Sequence, residues 1–169
     1  MLSNAASSAI IRRLEQRFAN SHSIIMWASK TVSRKGPLYG VSQKKRKALR
    51  SWLEFSKSNN NAWQKWSLMP FKKYQSEITG IWGFGRWSAD MIAIFYLARM
   101  DIWPETDAGI NRAVYAVFGS KDKANIKKYA NGCETVAALY LWEMLNRNLV
   151  SKFEYGIKRP RRKIVAITV

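Results

Sequence analysis

Three glycines in six residues, Gly80, Gly83 and Gly85, separate two helical patterns in the stretch ITGIWGFGRWSAD, which runs from Ile78 to Asp90. Before them, Phe71 to Thr79 reads as a helix. After them, Arg86 or Trp87 to Arg99 is the most apolar segment and the expected central buried helix. A W-G-F-G connection between two helices has to be tight. Gly83 and Gly85 supply positive φ, which Trp and Phe adopt only at a cost. The chain must therefore fold as helix, hairpin and helix over about residues 71–99. Such a turn also leaves backbone N–H groups uncovered where the second helix begins. Together with the helix dipole they form an anion site that reads phosphate but not sequence. An ordinary glycine-capped helical turn is the alternative.

The rest of the chain carries the same punctuation. Leu2 to Phe18 has helical spacing, and Ser21 or Ser23 is placed to cap a second helix holding Ile24, Ile25, Trp27 and Ala28. RKGPLYG, Arg34 to Gly40, is a loop, after which Ser42 can cap a third helix with Leu49, Trp52, Leu53 and Phe55 on its apolar side. A short helix from Trp63 to Leu68 ends before Pro70. MDIWPET is a loop, because Pro104 cannot sit in a helix interior and pushes Trp103 to extended geometry. Helical spacing resumes from Asp107 to Phe118, Ala124 to Ala130 and Glu134 to Leu149, the last with Val136, Leu139, Tyr140, Trp142 and Leu145 inward. The expected class is all-α, a compact multi-helix domain over residues 1–150 followed by a basic tail, 151–169. The tail's IVAITV is either a final strand or a flexible arm.

Charge narrows the partner. Lys and Arg total 29 against 11 Asp and Glu, a net charge of +18. That balance points to a polyanion, with nucleic acid ahead of an anionic membrane surface. Lys44, Lys45, Arg46 and Lys47, with Lys158, Arg159, Arg161, Arg162 and Lys163, are candidate phosphate contacts or merely solvated faces. Cys133 is the only cysteine and His22 the only histidine. The chain therefore has no intrachain disulfide and no four-cysteine cluster, and a histidine metal site or His-based triad is not expected. Cys133 is expected to be small and at least half-buried. The longest apolar run, Met91 to Ala98, is too short to span a bilayer, and the N-terminal stretch lacks the order of a secretory signal. The expected location is cytoplasmic, associated with the nucleoid.

Ile81 to Ala89, IWGFGRWSA, resembles the helix-hairpin-helix signature, and DIWPETDAGINR follows from Asp101 to Arg112. Together they resemble the helix-hairpin-helix (HhH-GPD) DNA glycosylases, in the alkylated-base, 3-methyladenine branch. Leu38 to Ser42 (LYGVS), Ile126 to Ala130 and Ala137 to Trp142 are similar to outer segments of that family. The resemblance implies a compact helical fold around the hairpin and one essential aspartate, which matches Asp107. By itself, Asp107 after Thr106 also reads as a helix cap. The family's chemistry builds positive charge on deoxyribose, which a fixed carboxylate stabilises while orienting or deprotonating water. Trp87, Met91 and Trp142 match base-pocket positions, where an aromatic wall would stack on a flipped cationic base. Trp87 is otherwise a core tryptophan.

Further expectations follow from the same resemblance. Strand-cutting relatives carry a lysine for Schiff-base chemistry where this chain has Trp87, so a monofunctional enzyme without lyase activity is implied. DNA-binding positions map to Gly83, Phe84, Gly85, Arg86, Ser88, Gly40, Ser42 and Lys44. No redox cofactor or required metal is implied, although a monovalent cation at the hairpin carbonyls is. The expected partner is double-stranded DNA containing damaged bases, bound by a monomer. The chain departs from the pattern at Met91 and Ala108, where the bacterial branch has Tyr. It departs again at Ala5, too small to fill the gap left by a flipped base, and at its start, which lacks the family's leading helix. Two alternatives remain at this stage, a non-catalytic helix-hairpin-helix DNA-binding protein and a basic interaction protein with a structural hairpin.

Overall fold

The computed structural model describes residues 4–30, 38–118 and 129–154. Among these residues all regular structure is helical: α1 (Asn4–Arg17), α2 (Ser21–Ser29), α3 (Gln43–Ser58), α4 (Ala62–Ser67), α5 (Phe71–Thr79), α6 (Arg86–Phe95), α7 (Ala108–Phe118), α8 (Glu134–Asn146) and α9 (Ser151–Glu154). The all-α reading is correct. Most of the helix expected at Ala124–Ala130 lies outside the described residues, as do the tail's basic cluster and IVAITV. The side chain of Ala5 does too. The chain divides into two compact units, Met1–Ala89 and Asp90–Val169, with the division falling inside α6.

In the first unit the capping chemistry sets the helix starts. α2 is capped by Asn20, not by Ser21 or Ser23. The Asn20 side chain accepts from the Ser23 N–H while the Asn20 N–H donates to Ser23 Oγ, a reciprocal box. Ser42 caps α3 as expected, accepting from the Lys45 N–H. α2 packs on α3. Arg46 holds that junction: its guanidinium donates to Trp27 O at 2.8 Å and lies 4.2 Å from the centre of the Trp27 ring. It is 4% exposed, so it is not a phosphate contact as its neighbours Lys44 and Lys45 remain free to be. Burial and the nearby Arg50 pull the Arg46 guanidinium below its ordinary pKa. Arg50 donates to Lys30 O, so both arginines face carbonyls at the C-terminal end of α2, where the helix dipole favours positive charge.

An aromatic cluster fills the remainder of this unit. Trp52 lies 5.4–6.0 Å from the rings of Phe55, Trp63, Trp66 and Phe84. Trp66, Tyr74 and Ile78 are fully buried. The two buried polar tips are satisfied, Tyr74 Oη donating to Ala89 O and Trp66 Nε1 to Glu77 Oε2. The Glu77 carboxylate also takes Lys65 Nζ at 2.9 Å. These hydrogen bonds, from Lys65 first and then Trp66, hold the Glu77 carboxyl below the ordinary glutamate range despite its partial burial. A depressed carboxyl pKa stabilises the fold above the unfolded-state value, and the gain is lost as pH falls through the folded-state value. Glu77→Gln should therefore lower the neutral plateau of the stability–pH curve and leave its acid end little changed, so that the acid-side slope flattens, as read by urea midpoints across pH.

In the second unit α7 packs on α8 and α9 around Trp103, Ile110, Ala113, Val114, Ala138, Leu141 and Val150. The inward face of α8 is Thr135, Ala138 and Leu141. The face expected from Leu139 and Tyr140 is instead exposed, Tyr140 at 69%. Seven apolar residues in succession, Val136 to Trp142, leave helical periodicity with no unique face to select. α6 ends at Phe95, not Arg99: Leu97 N–H returns to Ile92 O and Arg99 N–H to Ala93 O around Ala98 at φ 51°. Cys133 is exposed, contrary to expectation, because it stands just before α8.

Candidate active site

Two groups of the residues singled out from sequence are built by different elements. The first is the hairpin, residues 80–85. Phe84 N–H closes its turn on Ile81 O, and Gly83 adopts φ 91°. A Cβ at Gly83 would lie 2.4 Å from Ala48 Cβ, so glycine is required there both by conformation and by the close approach of α3. Gly85 differs from expectation. Its φ is not positive, and nothing stands within 4 Å of where its Cβ would be. Ala89 N–H closes the first turn of α6 on Gly85 O.

Side chains around the hairpin divide between anchoring it and facing outward. The Phe84 ring packs against Trp52. Trp82 is 43% exposed with Lys47 Nζ 4.1 Å from its ring centre, which sets this lysine beside the turn. Arg86 and Trp87 are exposed and Ser88 is half-buried. Lys44 is exposed on the first turn of α3, and Ser42 is committed to the cap. Gly40 has φ 88°, and a Cβ there would lie 2.9 Å from Ile10 Cγ1, so α1 explains this glycine without a ligand. The hairpin offers neutral carbonyl oxygens, the donor type a monovalent cation uses. Those of Ile81 and Gly85 also accept the bonds just described.

The second group surrounds Asp107. The loop before it is pinned at one end by Thr135, whose hydroxyl donates to Arg99 O and accepts from Ile102 N–H, and whose N–H donates to Met100 O. Trp103 and Pro104 are buried, and the Asp107 N–H turns back onto Pro104 O. This places Asp107 immediately before α7. It is 2% exposed, and its Oδ1 accepts from Ile110 N–H at 2.9 Å and from Trp142 Nε1 at 3.1 Å. The cap that the sequence allowed at Asp107 is thus present. The neighbouring acid Asp101 is paired away: Arg99 binds both its oxygens and holds its carboxyl below the usual aspartate range.

Trp142 is half-buried on α8 and stacks on Phe95, ring centres 6.0 Å apart and 25° between planes. Phe95, 59% exposed, is a site aromatic that sequence reasoning missed. The signal was its position one helical turn after Met91, within an apolar run read as core. Met91 is half-buried on α6. The structure thus joins Asp107 and Trp142 directly, and adds Phe95.

The described residues thus carry a glycine hairpin and, farther along, a buried aspartate at a helix start, in an all-helical setting. No family model matches the chain. The DNA-3-methyladenine glycosidase of Bacillus halodurans is similar in structure at a TM-score of 0.67 and 28% identity, over 85% of this chain and 69% of that one. The Schizosaccharomyces pombe 3-methyladenine DNA glycosylase Mag1, solved in complex with abasic DNA, is similar at a TM-score of 0.68, over 86% of this chain and 75% of that one. At 23% identity it bears on the fold alone. In sequence, the alkylbase DNA glycosidase-like protein mag2 of Schizosaccharomyces pombe is 30% identical over 82 residues, 45% of this chain. The chain spans 38% of that protein's length. The fold is that of the helical 3-methyladenine DNA glycosylases.

Proposed function

We propose that this chain is a monofunctional DNA glycosylase that hydrolyses the N-glycosidic bond of alkylated purines, 3-methyladenine and 7-methylguanine, in base-excision repair. The observation that carries the reading is Asp107, a carboxylate removed from water and held by donors from two helices. A carboxylate fixed in that way needs no reorganisation as positive charge grows on the deoxyribose, and it can orient or deprotonate the attacking water. N-alkylated purines already carry the positive charge that makes them good leaving groups, so no general acid is required. They also suit aromatic walls, for which Trp87 and Trp142 are the candidates, with Met91 a further candidate pocket position.

The rest of the reading concerns DNA. The open space beside Gly85, just before α6, and the net charge of +18 support binding to the phosphates of double-stranded DNA containing damaged bases, by a monomer, in the compartment that holds the nucleoid. No described helix is long and apolar enough to cross a membrane. Trp87 stands where a strand-cutting relative has lysine, so hydrolysis proceeds without a covalent enzyme–sugar intermediate. The test is release of 3-methyladenine or 7-methylguanine from methylated duplex DNA. The expected result is free base, an intact strand until alkali is added, and no borohydride-trapped complex. Salt-sensitive DNA binding with no release would favour a non-catalytic DNA-binding protein and overturn the enzyme reading.

A further inference from the structure

We propose that Trp142 is a positioning residue for the Asp107 carboxylate, in addition to any contact it makes with a base. The inference rests on the reading of Asp107 as the group that meets the sugar. A cap bond alone, from Ile110 N–H, leaves a carboxylate able to pivot about the bonded oxygen. The second donor on that oxygen comes from a different helix and from a rigid ring, Trp142 Nε1 at 3.1 Å. Two donors from two elements fix both the place and the tilt of the carboxylate.

The surroundings are built for this reach. A Cβ at Gly109 would lie 3.0 Å from Asp107 Oδ1, 3.4 Å from Leu145 Cδ1 and 3.6 Å from Trp142 Cδ1. Glycine at 109 therefore keeps clear the space in which indole and carboxylate meet. Phe95 covers the indole by stacking and limits its rotation. A ring able to touch a base thus also sets the geometry of the carboxylate that meets the sugar, so occupancy of the base site and orientation of the carboxylate are linked through one side chain.

The experiment uses the whole chain with Trp142→Phe, Asp107→Asn, the double variant and Trp142→His. Trp142→Phe retains a stacking ring and removes the donor. It should lower the single-turnover release rate roughly 10- to 100-fold, the scale of one hydrogen bond to a charged group. Affinity for abasic duplex should stay within about twofold. In the Asp107→Asn background the same change should cost nothing more, because the residue acts through the carboxylate. Trp142→His, which keeps a ring N–H, should recover part of the rate. The indole N–H resonance of Trp142, assigned through the backbone, should move upfield in Asp107→Asn, and that readout needs neither activity nor a folded position-142 variant. Additive losses, equal rates for the Phe and His variants, or an unmoved resonance would each overturn the inference. If wild type releases no base while the resonance still moves, the hydrogen bond stands, the glycosylase reading fails, and the positioning role falls with it.

Discussion

Asp107→Asn should reduce release of alkylated purine by about 10²- to 10³-fold while leaving the fold and DNA affinity intact. The substitution isolates charge from shape. An asparagine carbonyl can still accept from Ile110 N–H and Trp142 Nε1, so the cap of α7 and the tie to α8 both survive. The carboxylate's negative charge does not survive, and with it goes the stabilisation of an oxocarbenium-like sugar in a site shielded from water. Asp107→Ala would confuse the two effects, because losing an N-cap alone costs about 1 kcal/mol. The measurement is single-turnover release from methylated duplex, with thermal denaturation and abasic-DNA binding as controls. Undiminished release by the asparagine variant would remove Asp107 from the mechanism.

Gly83→Ala should be the most destabilising single methyl in the described chain. The added carbon meets Ala48 Cβ at 2.4 Å and Ala48 Cα at 3.1 Å, neither of which is a flexible side-chain end that can swing aside. The same substitution forces an L-residue to φ 91°. Strain and overpacking together cost about 3 kcal/mol, which lowers the thermal midpoint by about 10 °C in a chain of this size. Gly85→Ala is the contrasting case, with ordinary φ and open space around the new carbon. Its stability should stay within about 0.5 kcal/mol of wild type. If Gly85 serves phosphate approach, this variant loses DNA affinity without losing stability. Calorimetry and salt-dependent DNA binding on the two variants separate hairpin packing from hairpin contact.

The hairpin was legible because its signals are local. Pro70 before α5 and the glycines after it bound the element, and the structure keeps Phe71–Thr79 as read. Asp107 was legible only through the pairing of hairpin and downstream aspartate, since its own neighbourhood reads equally as a cap. It is in fact a cap as well. The end of α6 was not legible, because a stop that glycine usually carries is carried here by Ala98 in the left-handed region. α8 was overrun for a related reason: Asn148, at φ 53°, ends it, and Leu149 N–H closes back on Met144 O. Arg46 could not be told from its basic neighbours by composition. Its burial follows from lying on the face of α3 that meets the end of α2, a tertiary fact.

Under the proposed function Asp107 has a double duty, as helix cap and as the carboxylate that meets the sugar, and this has an evolutionary consequence. Most substitutions at this position remove a helix cap together with the charge, so a lineage drifting away from excision pays in foldedness at the same step. Asparagine is the exception, and it lies a single base change from either aspartate codon. A descendant that kept the scaffold for DNA binding but abandoned base release would be expected to arrive there first. Asparagine at 107 beside an unchanged Trp142 and Gly109 would then mark a former enzyme, whereas a small apolar residue at 107 should come with compensating changes at the start of α7.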